Sequence, residues 1–257
     1  MLSVFDTLKE TLLLWVRNFW YLAGLTLAFF LPIFGIKYIE ISMRDHGSLA
    51  FVVIKSFDMF WGAFATMIQT VFVLGLLRQD PTKKPLWLGI WSTIKISTAP
   101  LLGAFLLIWL LSAVIVLLVY MLFLIFDRYN LLLFNWLAVL LALPAFGCVL
   151  FKYALTPPII VMENMGPRPA LCQSWKMTRG YFWYVAGNCL FLGGAMWFMH
   201  HMINTHVCGS DAVTTGIRLV LNLGCAVFNQ IGVVLLWCMY LRIKETEAAS
   251  QSEAVPS

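Results

Sequence analysis

Few side chains in this sequence have types and spacings suited to chemistry, and they gather in a handful of places. Glu163 stands in "TPPIIVMENMGPRPALCQSWKMTRG", Thr156 to Gly180, between two long apolar runs. An isolated carboxylate at a membrane boundary can pair with a cation of the helix that follows or serve as an ion-coupling acid. Its plainer role is to cap and orient the turn together with Asn164. Lys176 and Arg179 share a helix face, and with Arg168 they can grip the phosphate of a lipid headgroup. His200, His201, His206 and Cys208 are ligand types that a borderline metal accepts. Two of them are adjacent and their spacing matches no standard pattern, so no metal or other cofactor is expected. Asp45, His46 and Asp211 are the remaining acid and base candidates. No GxGxxG, GxxxxGK[ST] or HExxH occurs and no Ser/His/Asp order stands out. No catalytic residue is assigned, and a non-enzymatic role is expected.

The background in which these residues sit decides how they are read. Of 257 residues, 61% are apolar and 11% charged, with 20 Phe and 11 Trp; a soluble domain is about 45–50% apolar and about 25% charged. The charges lie between six uncharged runs, 18–36, 59–77, 96–126, 129–151, 180–210 and 219–241, each 19 to 31 residues long. About 20 mainly apolar residues cross the hydrocarbon core of a bilayer. The expected fold is therefore an all-α integral membrane protein with six transmembrane helices. One transmembrane domain is expected over 1–245, with a short polar tail over 246–257. No cleavable signal peptide is expected, because Asp6, Lys9 and Glu10 precede an apolar run too long for a signal core. The six Cys are spaced irregularly without a CxxC and read as small apolar side chains.

Charge sets the expected topology. With six spans, the face shared by both termini carries Lys9, Arg17, Arg78, Lys83, Lys84, Lys95, Lys152, Arg168, Lys176, Arg179, Arg242 and Lys244, 12 cations, against 5 on the other face. The basic excess belongs in the cytoplasm, which puts both termini there. The formal charge of +5 attracts anionic lipid headgroups and calls for no nucleic-acid partner.

Three units share one plan: a flat amphipathic segment, a span, an outer connection and a second span. The flat segments are 1–17, with Phe5, Leu8, Leu12 and Trp15 on one side, then 85–95 and 169–180. Aligning Gly24, Gly103 and Gly187 places Leu12, Trp91 and Trp175 at one position and Trp20 and Trp183 at another, with Arg17, Lys95 and Arg179 at or beside a third. Gly187, Gly193 and Gly194 suggest close backbone approach, and Gln69, Asn222 and Asn229 suggest a polar seam between helices.

Within 156–180, Pro157 and Pro158 stop or kink the fourth span. The Ile159–Met162 strip is too short to cross and is expected along the inner headgroup boundary. Gly166 permits a left-handed or tight turn, Pro169 suits the first helical position, Gln173, Lys176 and Arg179 point toward water and phosphate, and Gly180 is a reasonable stop.

The order Pro-led apolar strip, Glu163-Asn164, Gly166-Pro167, Ala170-Leu171, Ser174-Trp175, Thr178 and Gly180 resembles the signature of YciC-like bacterial membrane proteins. These are related to the membrane domain of some glycerophosphodiester phosphodiesterases. The resemblance is sharp over roughly 25 residues. It implies a multi-pass protein of the bacterial inner membrane and leaves mechanism open, and the phosphodiesterase activity of fused relatives does not carry over. The functional expectation is an accessory or lipid-interacting membrane component; the alternative is a transporter or permease for a lipid-like or amphipathic solute.

Overall fold

The structure, a computed structural model, describes residues 2–28, 65–79, 87–128, 132–206 and 212–253. The 37–58 connection with Asp45 and His46, together with Cys208 and Asp211, lies outside the described residues. Every regular element among those described is helical: α1 Val4–Arg17, α2 Phe19–Ala28, α3 Ala65–Arg78, α4 Trp87–Arg128, α5 Leu132–Tyr153, α6 Thr156–Glu163, α7 Pro167–His206 and α8 Ala212–Glu253. Among the described residues, four stretches are long and apolar enough to cross a membrane: Leu88–Leu122, Pro144–Glu163, Pro167–Ile203 and Val220–Ser252. This is an all-α, multi-span apolar protein.

Its amphipathicity runs opposite to that of a soluble protein. Ser3 caps α1 by accepting the Asp6 N–H at 3.3 Å, satisfying one of the donors that a helix start leaves unpaired. The face of α1 turned inward carries Thr7, Thr11 and Trp15, whereas Phe5 is 76% and Leu12 50% exposed. The Thr7 and Tyr184 hydroxyls meet at 2.7 Å, and Trp15 stacks on Phe228 at 5.3 Å. Small hydroxylated residues let the helix sit close beside Trp15, while Phe5, Leu12, Leu13 and Val16 face outward. Along α4 the pattern is stronger: Leu106, Trp109, Leu110 and Val116 are all well exposed.

The helices that contain or follow the expected flat segments are joined in different ways. Asn18 breaks the chain between α1 and α2, its N–H reaching the Leu14 and Trp15 carbonyls. In α7 the backbone leaves helical geometry at Tyr181 (φ −125°, ψ 24°), one residue beyond Gly180, where the first segment is expected to stop. α4 continues through Pro100 for 42 residues, about 63 Å at about 1.5 Å per residue. The segment expected to lie separately at 85–95 therefore continues, from Trp87, directly into the span.

α6 forms the centre of the packed end. Thr156, Pro158, Ile159, Ile160 and Val161 are buried among α4, α7 and α8. The Ile159–Met162 strip expected at the headgroup boundary is thus largely enclosed by protein. Two prolines at its first turn restart a helix immediately after α5, and eight residues fit between the longer rods. The close approach expected at Gly193 and Gly194 is not there, since a methyl group on either would meet nothing within 4 Å. It occurs at Gly103, where a Cβ would lie 3.2 Å from Pro167 Cγ.

Candidate functional site

The turn from α5 to α7 is built from backbone chemistry that the residues dictate. Pro157 and Pro158 occupy the first turn of α6, where missing N–H groups leave no bond unmade. α6 ends on Asn164 in the left-handed region (φ 51°, ψ 39°), the only non-glycine residue with positive φ among those described. Asn tolerates this conformation better than most side chains. The left-handed residue is therefore Asn164 and not Gly166. α7 then starts at Pro167, two positions earlier than Pro169. Both prolines fall in the first turn, whose N–H groups have no helical partner, and the Ala170 N–H reaches the Gly166 carbonyl at 3.1 Å.

Three residues of this stretch grip the end of α5. The Ser174 and Thr178 hydroxyls, one helical turn apart, donate to the Lys152 carbonyl at 2.9 and 3.0 Å. That carbonyl lies in the last turn of α5, where acceptors lack helical donors. Between them, Trp175 stands with the Lys152 ammonium 4.5 Å from its ring and Tyr153 at 5.9 Å. Ser174, Trp175 and Thr178 thus act together as a socket for one helix terminus.

Glu163 is the polar centre. Lys244 Nζ lies 2.9 Å from Oε1, and the Tyr240 hydroxyl donates to the same oxygen at 2.8 Å. Gln173 Nε2 donates to Oε1 and Oε2 at 3.0 and 2.8 Å. The expected cation from the following helix is replaced by one from the last helix, and Gln173 points at the carboxylate and not to water. Beside this group, Arg242 Nε bonds Glu10 Oε2 of α1 at 2.9 Å. The end of α8 therefore ties α1 and the α6–α7 turn to itself. With three donors and no nucleophile among its partners, Glu163 is arranged as a latch.

The cations ahead of the kink are free of this latch. Arg168, Lys176 and Arg179 are exposed, with no ion pair among the described residues. Arg168 stands where two apolar grooves on α4 meet. One, about 730 Å³, is lined by Leu106, Leu110, Ala113 and Pro167; the other, about 330 Å³, by Ile108, Leu111, Val114 and Leu171.

The three residues of the expected polar seam are not brought to one place. Gln69, on α3, accepts from Gln230 Nε2 at 2.8 Å in the interior, leaving Gln69 Nε2 and Gln230 Oε1 unpartnered. Asn222 is half-buried with its Oδ1 unpartnered. Asn229 lines a cavity of about 380 Å³ between α7 and α8, with Thr70, Cys189, Gly193 and Gly232. His200 and His201 are exposed, His201 stacked on Trp197 at 5.2 Å, and no three metal-ligating side chains converge among the described residues.

Tyr240, Lys244, Gly103 and the Lys152 carbonyl are the participants that sequence reasoning did not connect with this turn. Only Gly103 carried a local signal, as a marker of the repeated units. No family model, curated protein or solved structure matches the chain.

Proposed function

We propose that this chain is a YciC-like, non-catalytic accessory component of the bacterial inner membrane that holds anionic lipid headgroups on its cytoplasmic face. In this reading six spans form three hairpins and both termini are cytoplasmic. Supporting the repeated plan, Trp20 and Trp183 are both 83% exposed, and Leu12, Trp91 and Trp175 at the equivalent earlier position are 50%, 58% and 45% exposed. Residues at matched positions thus meet matched surroundings, as aromatic side chains at a headgroup layer would.

The observation that carries the lipid reading is Arg168, an exposed cation at the meeting of two apolar grooves, with Lys176 and Arg179 following on the same helix. A phosphate at Arg168 with acyl chains along α4 satisfies both kinds of surface. Basic residues near an anionic surface contribute about 1 kcal/mol each, so changing all three to Gln should weaken anionic-lipid retention roughly a hundredfold. Native mass spectrometry of the detergent-extracted protein reads this directly, and unchanged retention refutes the role.

The transport reading draws on Asn229, an exposed amide within an apolar run beside the α7–α8 cavity. It requires that Asn229→Leu slow the movement of a fluorescent lipid across reconstituted vesicles. Equal rates in the wild type and the variant remove that reading.

A further inference from the structure

A second polar feature lies on the same end of the bundle and belongs neither to the Glu163 latch nor to the Arg168 grooves. Between the end of α3, the first turns of α4 and the turn after α6 is a cleft of about 350 Å³, within the range of about 300–1,000 Å³ common for small-ligand sites. Arg78, Gln79, Ser92 and Asn164 line it, with Gly75 and Gly89 in its walls. The glycines keep it open: a Cβ on Gly89 would lie 3.1 Å from Gln79 Nε2, and one on Gly75 would lie 3.4 Å from Thr93 Cγ2. The other cavities described above have mainly apolar linings; this one is walled by polar groups.

We propose that this cleft binds a phosphate group, held by the guanidinium of Arg78 and the side-chain amide of Asn164. Arg78 Nη1 donates to the Val161 carbonyl at 3.0 Å, an acceptor in the last turn of α6 that has no helical donor. That bond fixes the guanidinium while using one of its five N–H groups. No carboxylate pairs with Arg78 among the described residues, and within that set its charge has no counter-ion. A planar fork of donors matches the oxygens of a phosphate better than a point charge does. Asn164 is placed at the cleft by its left-handed backbone, is exposed, and makes no side-chain hydrogen bond among the described residues. The Ser92 and Thr93 hydroxyls already donate to the Gly89 carbonyl at 2.8 and 2.9 Å and Gln79 has an interaction of its own, which leaves Arg78 and Asn164 as the donors for an anion.

The same chemistry is offered by a phospholipid headgroup and by a phosphate in solution, and the test separates them. The full chain in phosphatidylcholine nanodiscs is titrated with inorganic phosphate, and in a parallel arm phosphatidic acid is mixed into the nanodisc and its retention measured by native mass spectrometry. Saturable binding in the first arm assigns a soluble phosphate; selective retention in the second assigns a headgroup. In whichever arm binds, Arg78→Gln should weaken affinity at least about tenfold, as loss of a charge-assisted bond does. Asn164→Gly should weaken it about threefold without lowering the melting temperature, because glycine adopts the left-handed conformation freely. That second variant keeps the test decisive if loss of Arg78 disturbs the end of α6. The triple Gln variant at Arg168, Lys176 and Arg179 should leave affinity within about twofold, so the cleft and the headgroup proposal fail separately. No saturable binding in either arm, or affinity unchanged in both Arg78→Gln and Asn164→Gly, overturns the proposal.

Discussion

The α6–α7 turn and the outer half of α4 are made of similarly apolar sequence, yet one is enclosed and the other bare. Ile159, Ile160 and Val161 have no exposed surface, while Trp109 is 74% and Leu110 64% exposed. Only 6% of the most apolar window in Leu88–Leu122 is buried, against 39% in Val220–Ser252. In water the hydrophobic effect would erase such a contrast. In lipid an apolar side chain gains little by leaving hydrocarbon for protein, so helices associate through close packing and hydrogen bonds. The turn is enclosed because it carries a carboxylate, two hydroxyls and a proline fitted against a glycine. The 106–111 stretch of α4 carries none of these, and Leu106, Trp109 and Leu110 stay exposed.

The largest test of this contrast is Glu163→Ala. It strands the Tyr240 hydroxyl, the Gln173 amide and the Lys244 ammonium, and bonds to a charged group contribute about 1.5–3 kcal/mol. With Lys244 41% exposed and its share screened, the expected loss is about 2–3 kcal/mol, read as a lower melting temperature in detergent. A melting curve matching the wild type would mean that the latch holds nothing together.

A smaller effect is expected at Gly103→Ala. The added methyl meets the Pro167 ring at 3.2 and 3.3 Å, and a ring at the start of α7 cannot rotate away. Overpacking costs about 1–3 kcal/mol, offset by about 1 kcal/mol of helix propensity, for a net loss of about 1 kcal/mol. Adding Pro167→Ala removes the Cγ contact at 3.2 Å but keeps the Cβ contact at 3.3 Å, so it should restore part of the stability, whereas no rescue at all would place the strain elsewhere. The smallest effect belongs to Leu110→Ala, expected under about 0.5 kcal/mol because the side chain exchanges one apolar neighbour for another. A loss of a full kcal/mol would show that something other than lipid covers this face.

The sequence made the turn legible where its causes are local. Pro157, Pro158, Glu163, Asn164 and the cations of α7 all stand within one stretch, and each has a positional preference that can be read directly. The latch was not legible, because Tyr240 comes 77 residues after Glu163 and no period links the two. The same holds for Gln69, whose partner Gln230 lies 161 residues away. The continuous α4 was misread as two segments, since Lys95 and the apolar Trp87–Ile94 stretch resemble a boundary that the backbone does not make. On α1 the buried positions Thr7 and Thr11 are small and polar, a choice that apolar periodicity alone does not point to.

The latch also sets an order for assembly. Lys244 lies 81 residues beyond Glu163 in the chain, and Arg242 232 residues beyond Glu10. At about 5–20 residues per second, the carboxylate waits roughly 4–16 s for its ammonium to leave the ribosome. During that interval α1 and the α6–α7 turn have no final strap, and the insertion machinery or lipid must shelter them. α8, made after the elements it straps, is the one that fastens them.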